Sequence, residues 1–207
     1  MEDLVRTVRA RSGCDGRVLD AIRRTARAEF LPEDEVASAN YDTPLPIGHG
    51  QVATQPSLSA TMLDALALTG TEHVLEIGTG SGFQTALLAR LAGDVVSVEL
   101  WADLTRQAGG NLARLGIGNV ELRVGDGTRG VPEHAPYDAV VVSAAFPEVP
   151  APLVEQLRVG GRLVQPIGPG GGEEVVLFVR VAGGLERRRV LTSARFVRLY
   201  GDYGYPR

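Results

Sequence analysis

VLEIGTGSGFQTALLARLAGDVVSVEL, residues Val74 to Leu100, decides the fold. An apolar run ends at Gly78, glycines recur at Gly80 and Gly82, and a helix-like segment leads to a second apolar run that ends at Glu99. Strand, glycine loop, helix, strand, acid is the order of a βαβ unit, whose ligand crevice lies at the carboxyl ends of its strands. A strand that turns directly into a helix leaves backbone N–H groups unpaired at the helix start, and glycines let a ligand approach them. Glu99 falls about twenty residues past the first glycine, where a carboxylate can accept from both hydroxyls of a ribose. The ligand is therefore expected to contain a ribose.

Spacing separates the nucleotide classes. A dinucleotide fingerprint beginning at Gly78 or Gly80 needs a further glycine where this chain has Phe83 or Thr85. A phosphate loop needs a lysine after its glycines, and all 21 basic residues here are arginine. The same absence excludes a lysine Schiff base. What remains, E-x-G-x-G-x-G from Glu76 to Gly82 with an acid ending the next strand, resembles the S-adenosylmethionine site of class I methyltransferases. The implied fold is α/β: a Rossmann-like, mostly parallel sheet with an antiparallel C-terminal hairpin and helices on both faces.

At 207 residues the chain suits one domain. We divide it into N-terminal helices and a substrate loop (1–72), a cofactor-binding core (73–168) and a C-terminal hairpin and tail (169–207). No run of eighteen apolar residues suggests a membrane helix, and the first residues lack the apolar core of a signal peptide, so a cytoplasmic protein without membrane partners is expected. Cys14 has no partner for a disulfide, and His49, His73 and His134 show no metal-ligand spacing, so no metal is expected. A net charge of -4 argues against nucleic acid as a partner. A monomer is expected.

In chain order, residues 4–11 and 16–30 read as amphipathic helices, with Asp15 as the N-cap of the second. YDTPLPIGHGQVATQP, from Tyr41 to Pro56, lacks either periodicity and reads as a long irregular loop beside the cofactor site. Pro56 starts a helix that Gly70 ends. A helix over 101–115 and a strand from Val120 to Val124 lead to Gly125-Asp126-Gly127, where a strand-tip carboxylate could accept from an adenine amino group. Tyr137 to Val142 reads as a strand for the middle of a parallel sheet. A helix over 150–158 ends at Gly160-Gly161, and a hairpin turns about Gly183-Gly184. GPGGG at 168–172 reads as a mobile link, and Arg187 to Arg189 as alternation along a half-exposed strand.

PLPIGHGQ at 44–51, the Gln55-Pro56 pair, the glycine stretch, GDG at 125–127 and PxPLVEQLRVGGRLVQPIG at 150–168 together resemble the protein-L-isoaspartate O-methyltransferases over nearly the whole chain. The resemblance implies transfer of a methyl group from S-adenosylmethionine to the carboxylate of L-isoaspartyl or D-aspartyl residues in damaged proteins or peptides, leading to a succinimide and repair. It implies cofactor contacts at Glu76, Gly78, Thr79, Gly80, Ser81, Gly82, Gln84, Glu99, Leu100, Asp126 and Gly127. Substrate contacts are implied at Ile47, Gly48, His49, Gln51, Thr54, Val197 and Leu199. Thr54 stands where the family has a serine that contacts the reacting carboxylate, and is the implied catalytic residue. His49 is set aside as a base, because a carboxylate nucleophile needs no proton removed. A relative acting on a dedicated partner peptide, and a cofactor-binding module without turnover, are the alternatives. A base-flipping aminomethyltransferase would want Asn or Asp followed by prolines where Ser143-Ala144-Ala145 stands.

Overall fold

A computed structural model describes residues 1–169 and 171–206. Gly170, inside the GPGGG stretch, lies outside the described residues. Among the described residues, nine strands and six α-helices follow one another as α1 (Glu2–Ser12), α2 (Arg17–Arg23), β1 (Leu45–Gly48), β2 (Gln51–Ala53), α3 (Pro56–Leu66), β3 (His73–Ile77), α4 (Phe83–Leu91), β4 (Asp94–Glu99), α5 (Ala102–Arg114), β5 (Val120–Val124), β6 (Tyr137–Val142), α6 (Ala151–Gln156), β7 (Leu157–Ile167), β8 (Glu173–Val181) and β9 (Gly184–Ala194).

Seven strands form one sheet in the order β5-β4-β3-β6-β7-β8-β9. The first five lie parallel, and β8 and β9 are antiparallel to their neighbours. Strand order reverses at β3, so its carboxyl end and that of β6 frame the crevice expected of an open α/β sheet. Alternation along the central strands makes the two faces. Val74, Val95, Ala139, Val141 and Val164 join a core with α1 to α4. Leu75, Ile77, Val96, Val98, Val140, Val142 and Leu163 turn to the other face, where Leu153 of α6 covers them. Period-two patterning in a sheet covered on both faces yields this division.

Several expectations need correction. The second helix stops at Arg23 rather than running to residue 30; the Thr25 hydroxyl donates to the Ala21 carbonyl, and a 3-10 turn follows over Arg27–Phe30. Asp15 is not its N-cap: Gly16 takes that position, and the Asp15 carboxylate accepts from the Gly16 N–H just outside the helix. The stretch read as an irregular loop contains a small antiparallel hairpin, β1 on β2, whose turn holds Gly48, His49 and Gly50 at positive φ. Helix α3 ends at Leu66, with Ala67 left-handed. Strand β7 begins at Leu157, before the two glycines. Arg187 to Arg189 are all exposed rather than alternating, on an edge strand that two bulges distort. Among the described residues, no helix is long and apolar enough to cross a membrane.

Candidate active site

The glycine loop leaves β3 with Gly78, Gly80 and Gly82 at φ of 96°, 56° and 96°. Only glycine takes such angles without strain. Space matters as well: a Cβ on Gly80 would lie 2.9 Å from Cδ1 of Ile47, so β1 packs directly on the loop. The loop is tied sideways. Thr79 Oγ1 and Ser97 Oγ are 2.5 Å apart, and the Gly80 N–H donates to Glu99 Oε2 at 2.8 Å. Glu99 Oε1 accepts from the N–H groups of Leu100 and Trp101 at 2.7 and 3.1 Å. Three backbone donors thus fix this carboxylate at the strand tip.

Glu76 does something different from the cofactor contact expected of it. Its side chain is fully buried on the helical face of β3 and does not line the cleft. Thr85 Oγ1 donates to Oε2 at 2.5 Å, Ser97 Oγ to Oε2 at 2.7 Å, and Gln84 Nε2 to Oε1 at 3.2 Å. Burial pushes its pKa up to about 7 against those hydrogen bonds. It anchors α4 beneath the loop.

Above the loop lies an open cleft. Of the expected cofactor contacts, Gly78, Thr79, Gly80, Ser81, Gln84, Glu99, Leu100 and Gly127 line it, and of the expected substrate contacts, Ile47, Gln51, Thr54, Val197 and Leu199. Ser59, Phe83, Ser143 and Tyr200 also line it, and sequence reading missed them. Gly127 is required sterically, since a Cβ there would lie 2.4 Å from Cγ2 of Ile77. Three residues lining this cleft each carry a buried polar atom with no hydrogen-bond partner among the described residues: Ser59 Oγ, Ser81 Oγ and Gln84 Oε1. Buried polar groups are normally satisfied, so these orphans fit a polar ligand. A nucleoside bearing an amino acid, as in S-adenosylmethionine, matches a site with a strand-tip acid, a glycine loop and unpaired side-chain polar atoms. A second cavity adjoins the cleft and is lined by Pro44, Gln55, Leu58, Arg195 and Phe196 among others. Val52, Thr54, Ser143 and Val197 line both.

Four other expected contacts do not line the cleft. Asp126 turns away: its Oδ1 accepts from the Thr128 N–H and hydroxyl, and its Oδ2 from the Asp202 N–H. Burial works against ionisation there, but those hydrogen bonds prevail and hold its pKa below the usual carboxylate range. It clamps the C-terminal tail. Gly82 caps α4, where a Cβ would meet that of Ala108 at 3.1 Å. Gly48 serves the hairpin turn, and His49 beside it points outward. The His49 ring stacks on Trp101 at 4.2 Å, with Nε2 2.7 Å from Asp103 Oδ2, which ties the hairpin tip to the start of α5.

What positions Thr54 came as no signal in the sequence. Arg27 is 1% exposed, and its guanidinium donates to the carbonyls of Tyr41, Thr43, Ala53 and Thr54 at 2.9 to 3.3 Å. Burial draws its pKa down to about 10, so it stays charged at neutral pH. Asp42 completes the brace, accepting from the Ser57 N–H at 2.8 Å and Gln55 Nε2 at 3.0 Å. On the far side, residues 197–199 run beside Ala145: the Ala145 N–H donates to the Val197 carbonyl at 2.8 Å, and the Leu199 N–H to the Ala145 carbonyl at 2.9 Å.

Sheet order, the glycine loop and its link to Glu99 define a class I methyltransferase, with S-adenosylmethionine as cofactor. The family model for protein-L-isoaspartate(D-aspartate) O-methyltransferase matches residues 1–203. A protein-L-isoaspartate O-methyltransferase of Myxococcus xanthus (strain DK1622) is 49% identical over 191 residues, 91% of this chain and 90% of that protein. A solved protein-L-isoaspartate O-methyltransferase superposes with a TM-score of 0.87 at 30% identity, covering 98% of this chain and 67% of that one. A Plasmodium falciparum chain solved in complex with S-adenosyl-L-homocysteine shares the fold, with a TM-score of 0.80 at 22% identity over 95% of this chain and 96% of that one. The chain belongs to the protein-L-isoaspartate(D-aspartate) O-methyltransferase family.

Proposed function

We propose that this enzyme esterifies L-isoaspartyl and D-aspartyl carboxylates of damaged proteins or peptides, with Thr54 as the hydroxyl that meets the acceptor. The carrying observation is the junction: the cleft above the glycine loop meets a second cavity at Thr54, so a carboxylate entering from the Phe196 side comes up against the cofactor chamber. S-adenosylmethionine, when bound, supplies an electrophilic methyl group. Gly78 to Ser81, Gln84, Glu99, Leu100 and Gly127 would hold it. The acceptor needs no base, because a carboxylate with a pKa of roughly 4 is already ionised at neutral pH. The protein's work is alignment and partial desolvation, and proximity of this kind contributes at most about 7 to 11 kcal/mol. Val52 and Val197 give the junction apolar walls, and Arg27 holds the Thr54 backbone in place.

The reading extends to a monomeric, cytoplasmic enzyme without a nucleic-acid substrate. In support of the last point, the net charge of -4 offers no footprint for a phosphate backbone. The test is transfer of labelled methyl groups to an isoaspartyl peptide and to its aspartyl twin. Base-labile methyl esters on the first alone are expected; equal labelling of both, or of neither, overturns the proposal.

A further inference from the structure

We propose that Ser143 is a second acceptor-binding hydroxyl, gripping one oxygen of the substrate carboxylate while Thr54 meets the other. This rests on the acceptor being a carboxylate, as proposed above. The donor and acceptor must meet at the junction of the two cavities. Four residues line both sides of it, and two of them, Val52 and Val197, offer only apolar side chains. Among the described residues that line both cavities, Thr54 and Ser143 are therefore the two that carry side-chain polar groups.

Ser143 is held there by the sheet. It follows Val142, the last residue of β6, and its N–H donates to the Ile77 carbonyl at 2.9 Å, opposite the start of the glycine loop. A Cβ on Gly78 would lie 3.3 Å from the Ser143 Cβ, which puts the serine against the loop's first residue. Its hydroxyl is oriented by a chain of contacts. Gln84 Nε2 lies 3.2 Å from Glu76 Oε1 and 2.8 Å from Ser143 Oγ. With the amide nitrogen turned toward the Glu76 carboxylate, the same nitrogen donates to Ser143 Oγ. The Ser143 oxygen accepts, so its own hydrogen is free for an acceptor in the junction. An anionic carboxylate is the strongest acceptor that could arrive there. A second grip also suits this chain, whose threonine at 54 has fewer rotamers than a serine would.

The alternative role for Ser143 is to anchor Gln84 within the cofactor chamber. Kinetics at saturating S-adenosylmethionine with an isoaspartyl hexapeptide, paired with calorimetry of S-adenosyl-L-homocysteine, separate the two. Ser143→Ala is expected to lower kcat/KM for the peptide about 10- to 30-fold while the homocysteine Kd moves by less than about twofold. Ser143→Thr, which restores the hydroxyl, is expected to recover most of the loss. An unchanged kcat/KM in the alanine variant overturns the proposal, as does a fall matched by an equal loss of homocysteine affinity. If the alanine variant does not fold, Ser143→Thr and Ser143→Cys decide it, the cysteine behaving as the alanine is expected to. A wild-type enzyme that binds the homocysteine but methylates no isoaspartyl peptide overturns the underlying reading, and this proposal with it.

Discussion

The Gly80 N–H donates to Glu99 Oε2 at 2.8 Å, so the glycine loop is locked to the acid at the tip of the next strand. Oε1 of the same carboxylate holds the N–H groups of Leu100 and Trp101. Both oxygens are thus committed as acceptors, and the ribose hydroxyls would use the lone pairs that remain.

Glu99→Gln tests this directly. In either amide orientation, an NH2 group must face a backbone N–H, which leaves buried donors unpaired at about 1 to 3 kcal/mol. Calorimetry with S-adenosyl-L-homocysteine should show affinity lowered about tenfold or more. An unchanged Kd would remove Glu99 from the cofactor site.

Arg27 carries the second prediction. Arg27→Met keeps the volume but abandons four carbonyls, those of Tyr41, Thr43, Ala53 and Thr54. The cost should be about 3 to 5 kcal/mol of stability in chemical denaturation. Arg27→Lys should recover part of it, since one ammonium reaches fewer acceptors. Methyl transfer in the lysine variant, assayed well below its Tm, should still be impaired, because Thr54 loses its backbone support; full activity would show that the brace serves stability alone.

The sequence disclosed the cofactor half of the site far better than the acceptor half, and the reason is physical. Gly78, Gly80 and Glu99 lie within one local βαβ unit, where a single register and a single turn bring them together. Arg27 and Ser143 act through contacts across the fold. An arginine three residues before Phe30 looks solvent-facing until residues 41–54 fold over it, and a serine after an apolar strand looks like an ordinary exit. Asp126 and Glu76 misled in the opposite sense. Both are acids at or near strand tips, but spacing does not reveal which way a side chain turns, and their partners, Thr128, Asp202, Thr85 and Ser97, draw them away from the cleft.

Thr54 lines both cavities, so its hydroxyl is the group most exposed to substitution tests. A hydrogen bond to a charged group is worth about 1.5 to 3 kcal/mol, so Thr54→Ala should slow transfer about 10- to 100-fold at saturating cofactor. Thr54→Ser keeps the hydroxyl and should stay within a few-fold of wild type. Wild-type rates in the alanine variant would sink the assignment.

Glu76 makes stability depend on pH in an unusual direction. Burial raises its carboxyl from 4.5 to about 7, so in the folded protein it holds its proton more tightly than in the unfolded chain. Its contribution is therefore fully present below pH 4.5 and is lost as pH rises to about 7, by about 3 kcal/mol in all. Glu76→Gln is neutral at every pH and lacks this term. Urea denaturation of both proteins at pH 5 and pH 8 should show the wild-type advantage shrinking, or reversing, at the higher pH. A gap that stays constant would mean that Glu76 ionises in its pocket as readily as in water, with Thr85, Ser97 and Gln84 fully offsetting its burial.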